Sequence, residues 1–167
     1  MKKIETIVKT LSTEYSSVRV LRNEGGMSFP YVCYINAATE GYRNLLNHPL
    51  PSDIIDWWSL VKYAILFKDI EYGQWGLEIH SEEQSFRLTQ NCLQGRPSDF
   101  KLTDIVIGEF YGDSDLLLVS CEAGEEYGSV LVVSPIEGRK CWTKVANSFS
   151  QFLEEYIKME GEKFWEG

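Results

Sequence analysis

Apolar residues recur at the start of the chain with a helical period. Ile4, Ile7, Val8, Leu11 and Tyr15 fall at i, i+3, i+4, i+7 and i+11. That spacing lines one stripe of a helix over about Lys2–Tyr15. Asn-Glu-Gly-Gly-Met at 23–27 then breaks the pattern. Tyr31–Ile35 is β-branched and aromatic and predicts a strand. Residues 38–47 form a weaker helix candidate, stopped by Pro49 and Pro51. Ser52 is placed to cap a helix over 53–64. Its apolar residues point to more than one side, which predicts burial. Trp57 and Trp58 lie about 100° apart on such a helix, leaving room for one of them to be exposed. Gly73 and Gly76 punctuate short strands between Ile65 and His80. Ser81 and Gln84 have capping-box spacing ahead of a helix over 82–93.

The period changes after Phe100. Residues 104–111, 114–121 and 127–134 are three strand-like runs joined by glycine-containing turns, a meander of antiparallel strands. From about Ala146 the helical period returns, with Val145, Phe149, Phe152, Leu153, Tyr156 and Ile157 on one face. Helices at both ends and strands between predict an α+β fold with a central, mostly antiparallel sheet and helices packed against it. At 167 residues the chain suits one domain spanning 1–167.

Charge adds a feature that periodicity does not carry. The chain has 25 acids, 16 Lys and Arg, and net charge −9. Eight of the acids lie between Leu102 and Gly138: Asp104, Glu109, Asp113, Asp115, Glu122, Glu125, Glu126 and Glu137. No Lys, Arg or His falls in that segment. A single-sign field repels nucleic acid and attracts basic partners; the alternative is a solvated outer face of the sheet. Four scattered cysteines without a C-x-x-C pair argue against a zinc ribbon or a redox motif and suit a reducing cytoplasm. Glu5, Thr6 and Lys9 interrupt any signal-peptide core, and no apolar run is long enough for a membrane helix.

Catalytic chemistry finds little support. Asp113-Ser114-Asp115 follows Gly112, but the stretch does not match the G-x-S-x-G elbow. Only His48 and His80 are available as bases. Asp113 and Asp115 lack the glycine and distal glutamate of a calcium loop, and paired carboxylates are nonspecific in so acidic a segment. No phosphate-binding glycine motif occurs. The stretch reads as a turn, in which glycine supplies an unusual φ and Asp113 and Ser114 bond local backbone groups.

The run DIVIGEFYGDSDLLLVSC (104–121), YGSVLV (127–132), VANSFSQFLEEYI (145–157) and KFWE (163–166) resembles the SUKH superfamily. These are bacterial immunity proteins, grouped with the yeast Smi/Knr cell-wall regulators. Residues 38–60 and 66–81 are similar to the family's helix, leucine-proline and helix entry and its glycine-punctuated strands. The resemblance spans roughly 36–165. Many members carry an asparagine-glycine turn where this chain reads KYAILF. Residues 1–35, with their helix and strand, lie outside the resemblance.

The resemblance implies a SUKH-like α+β fold and a cytoplasmic, non-enzymatic protein without cofactor or metal. It implies a protein partner, a toxin of the polymorphic class and often a nuclease, and no direct contact with nucleic acid or membrane. It marks Gly112, Asp113 and Gly128 as turn positions. The other reading within the family is a regulatory scaffold without a toxin. An acidic inhibitor would steer rapidly to a basic nuclease cleft. On that reading Asp113, Asp115, Glu122, Glu125 and Glu126 are the candidates for the charged contact. Tyr72, Trp75 and Tyr127, in glycine-flanked turns, are the candidate aromatic anchors.

Overall fold

The computed structural model describes residues 1–22 and 28–167; the predicted break at 23–27 lies outside them. Helix α1 spans Lys2–Glu14, followed by strands β1 (Arg19–Arg22) and β2 (Ser28–Ala37). Helix α2 (Ser52–Leu60) leads directly into β3 (Val61–Asp69), then β4 (Leu77–Ile79) and α3 (Glu82–Gly95). Strands β5 (Ile105–Phe110), β6 (Leu116–Val119) and β7 (Val130–Val133) follow. The chain ends with β8 (Thr143–Ala146) and α4 (Phe149–Lys158). The eight strands form one sheet in sequence order, every neighbouring pair antiparallel. The predicted α+β class and antiparallel sheet are what the chain adopts.

The two faces of the sheet are buried differently. Helices α1, α2 and α4 bring Ile4, Leu11, Trp57, Phe149, Phe152 and Tyr156 against Phe67, Ile107, Leu117 and Val119. On the opposite face α3 packs on β5, and a smaller core gathers Phe100, Val106, Leu118, Val133 and Trp142. Burial on both faces explains why β6 is an unbroken apolar run instead of an alternation. Each fully buried Leu or Phe contributes about 1.5–3 kcal/mol.

Several local readings need correction. Residues 38–47 are not helical. The Arg43 and Leu45 amides donate to the Glu82 carboxylate, at 2.9 and 2.8 Å, and Asn44 and Asn47 hold positive φ. A side chain thus takes donors that a helix would use internally. Helix α2 stops at Leu60 because Val61 turns extended and pairs with Ala37 of β2. Pro51, not Ser52, occupies the cap position, with no side-chain capping bond. Trp57 and Trp58 are both buried, and the Trp58 indole donates to the His80 carbonyl at 3.0 Å. The edge strands β1 and β8 are not visible in the periodicity, since each has four residues and β8 is largely exposed. The Ser81 cap forms as predicted, its hydroxyl accepting from the Gln84 amide at 3.2 Å.

All four cysteines are free thiols. Burial pushes Cys33 and Cys121 up to about 12, whereas Cys141 is exposed. No helix among the described residues is long and apolar enough to cross a membrane.

Candidate functional site

A meander places consecutive turns at opposite ends of its sheet. Leu77 pairs with Phe110, so the β3–β4 turn and the β5–β6 turn share one end. The β6–β7 loop, 120–129, lies at the other, separated by the length of β6, about 10–14 Å for four residues. The candidate residues therefore split. Tyr72, Trp75, Asp113 and Asp115 belong to the first end, and Glu122, Glu125, Glu126 and Tyr127 to the second. No single end of the sheet gathers all five acids.

At the first end the two turns are packed on each other. A Cβ on Gly112 would fall 2.4 Å from the Gln74 carbonyl oxygen, and φ there is +95°. Only glycine tolerates that combination. Asp113 accepts from the Asp115 amide at 3.0 Å, and Ser114 sits exposed at positive φ. Neither His48 nor His80 bonds its hydroxyl. This is the turn that the sequence predicts.

The tail beyond α4 completes this end. The Trp75 indole donates to the Gly161 carbonyl at 3.0 Å, and Tyr31 donates to Glu160 at 2.7 Å. Lys163 pairs with Asp113, lies 4.0 Å from Glu166, and stands over the Phe110 ring at 5.2 Å. Asp113, Asp115 and Glu166 offer oxygens within 4.8 Å of one another. Three carboxylates are half of what a calcium-class cation takes, and the Lys163 ammonium already supplies positive charge among them. One ammonium does not balance three carboxylates. Burial, then Asp113, pushes the Asp115 carboxyl above its ordinary range, with Glu166 and Glu137 adding to the effect and Lys163 opposing it. Tyr72 is 71% exposed beside these turns and Ile70 is exposed too, whereas half-buried Trp75 is committed to holding the tail.

The second end is electrically quieter. Glu122 pairs with Lys101, and Glu126 pairs with Lys144 at 2.9 Å while accepting from Ser129. The hydrogen bonds from these lysines hold both carboxyls below their ordinary range. Glu125 is exposed, with no ion pair among the described residues. Tyr127 is partly exposed at the rim of a groove of about 400 Å³ bounded by Met1, Pro51, Asp56 and Ser148. Burial, ahead of Cys121 and Asp53, pushes its phenol upward.

The acid-only segment is thus not acid-only in space. Asp104 is fully buried and bidentate to Arg139, at 2.5 and 3.2 Å, and serves the interior. Sequence reasoning missed Lys163 and Glu166, which reach the first end from fifty residues away along the chain, and no periodicity announces them. It also missed Ile70.

Residues 37–155 match the SMI1 / KNR4 family (SUKH-1). No curated protein and no solved structure matches the chain. The matched region runs from the last residue of β2 into α4. It includes Asp113 and Asp115 and leaves Lys163 and Glu166 outside.

Proposed function

The chain belongs to the SMI1 / KNR4 family (SUKH-1), and on that premise we propose that it is an immunity protein that binds a basic toxin domain of nuclease type and blocks it. The role is binding, without catalysis, cofactor or metal. The observation that carries the reading is the charge surplus at the first end, where Asp113, Asp115 and Glu166 share Lys163 beside exposed Tyr72. Basic groups of a partner would supply the missing positive charge. Tyr72 would provide the aromatic anchor around which interface energy concentrates. Close charge pairs in a nuclease–inhibitor interface contribute about 1.5–7 kcal/mol. The reading puts the protein in the cytoplasm, in keeping with four free thiols.

The test is a pull-down of the tagged protein from its own host at two salt concentrations, read by mass spectrometry. A basic nuclease-like domain should co-purify at low salt and be partly lost at high salt. Asp113→Lys with Asp115→Lys should slow association about tenfold or more. Glu125→Lys with Glu126→Lys should do so less. A cell-wall or signalling partner in place of a basic domain would overturn the immunity reading in favour of a regulatory scaffold.

A further inference from the structure

A second acidic feature lies on the sheet itself. Glu78 of β4 and Glu109 of β5 are directly opposite in register. Like charges in that relation destabilise a strand pair unless a cation joins them. Both side chains reach solvent, at 36% and 47% exposure. His80 adjoins both and is only 5% exposed. Its Nδ1 is 3.5 Å from Glu78 Oε1 and its Nε2 is 3.9 Å from Glu109 Oε2. Neither ring nitrogen has a hydrogen-bond partner among the described residues. The backbone is fixed, its amide donating to Ile107 at 2.8 Å and its carbonyl accepting from Trp58.

At those distances the ring gives a hydrogen bond to neither carboxylate. Glu78 accepts from the Tyr111 hydroxyl at 3.1 Å. Glu109 has no hydrogen-bond donor among the described residues. Lys68 stands over the Tyr111 ring at 5.8 Å and makes no ion pair with either carboxylate. The site thus has two half-exposed carboxylates, a buried unpartnered ring beside them, and no donor on Glu109.

We infer that the Glu78–Glu109 pair receives an arginine side chain of the basic partner protein. A planar guanidinium carries five donors and can bond two carboxylates at once, which an ammonium does less well. The pair is continuous with the first end, because Glu109 and Tyr111 run directly into the Gly112–Asp115 turn. One partner surface can cover both. The inference rests on the immunity reading for the partner's identity, but its test needs no toxin.

The probe is N-acetyl-arginine methylamide, titrated into ¹⁵N-labelled full-length protein at constant ionic strength. Saturable shifts are expected in the His80 ring nitrogens and in the Glu109 and Tyr111 amides. Glu109→Gln should weaken the response about tenfold, the effect of one charge-assisted hydrogen bond. Glu78→Gln should weaken it as well, and Glu5→Gln, on exposed α1 surface, should leave it intact. The lysine analogue should bind less tightly. Unchanged amide positions elsewhere in the spectrum establish that each variant is folded. The inference is overturned by the absence of saturable shifts, by shifts that survive Glu109→Gln, or by a response to zinc chloride and none to arginine. If the pull-down finds no basic partner while these shifts appear, the site stands and the immunity reading falls.

Discussion

The two ends of the sheet are equally acidic in sequence and opposite in electrostatics. At the β6–β7 end each paired acid has its own lysine, Glu122 with Lys101 and Glu126 with Lys144, and those carboxyls are held down. At the other end three carboxylates share Lys163, and Asp115 is pushed up. The second end's carboxyls are lowered by their lysines, whereas Asp115 is raised first by burial and then by its neighbour Asp113. Charge counted along a chain measures supply; only the fold decides where the counter-charges go.

The largest way to break the contrast is to detach the tail. Gly161 has φ +84°, and a Cβ there would fall 2.5 Å from Cβ of fully buried Phe67. Gly161→Ala should cost about 2–4 kcal/mol, combining backbone strain with overpacking. Denaturant unfolding measures the loss. Hydrogen exchange should rise at residues 70–76 and 111–115 and not at 120–129. Uniform loosening of both ends would show that the tail is no local clamp.

Removing only the shared cation is the next largest change. Lys163 is 10% exposed and packs on aromatic rings, so Lys163→Met retains much of its volume. The carboxylates are then left to repel one another. The loss should be about 1–3 kcal/mol at neutral pH, below the range for breaking a fully buried pair because Asp113 remains partly solvated. The deficit should shrink as pH falls and the carboxylates take up protons. Lys101→Met and Lys144→Met should lower the unfolding midpoint far less than Lys163→Met, because exposed pairs contribute little. An equal loss from all three variants would erase the distinction between the ends.

The fold was largely legible where periodicity was strong. Helix α1, the Ser81-capped α3, the three-strand meander and α4 all follow from apolar spacing and turn residues. The failures have a common physical source. Val61 leaves the helix because β2 offers it an edge, and residues 38–47 stay irregular because Glu82, far along the chain, takes their amides. The candidate site was legible in residue type and not in grouping. Asp113 was correctly read as a turn residue, but its ammonium partner comes from Lys163, fifty residues on. Trp75 looked like an anchor because glycine flanks it; tertiary packing gives its indole to the tail.

The smallest effect tests the contrast most directly, because its sign differs between the ends. Asp115 has a carboxyl raised in the folded state, so the native chain holds protons more tightly than the unfolded chain over that window. Its charge therefore opposes folding above the window, and stability falls as pH rises through it. Asp115→Asn should remove that penalty and raise Tm by roughly 1–2 °C at neutral pH, as expected for a surface change of about 0.5 kcal/mol. The gain should vanish when pH drops below the carboxylate range. Glu122→Gln and Glu126→Gln should behave in the opposite sense, since lowered carboxyls support the fold above their unfolded range and lose that support as pH falls. A Tm series across pH for the three variants reads both signs. If Asp115→Asn lowers Tm at neutral pH, the first end is already balanced, and its charge gives a basic partner no reason to prefer it. If it raises Tm while weakening capture of the basic partner, the same carboxylate is a cost to folding and an asset to binding.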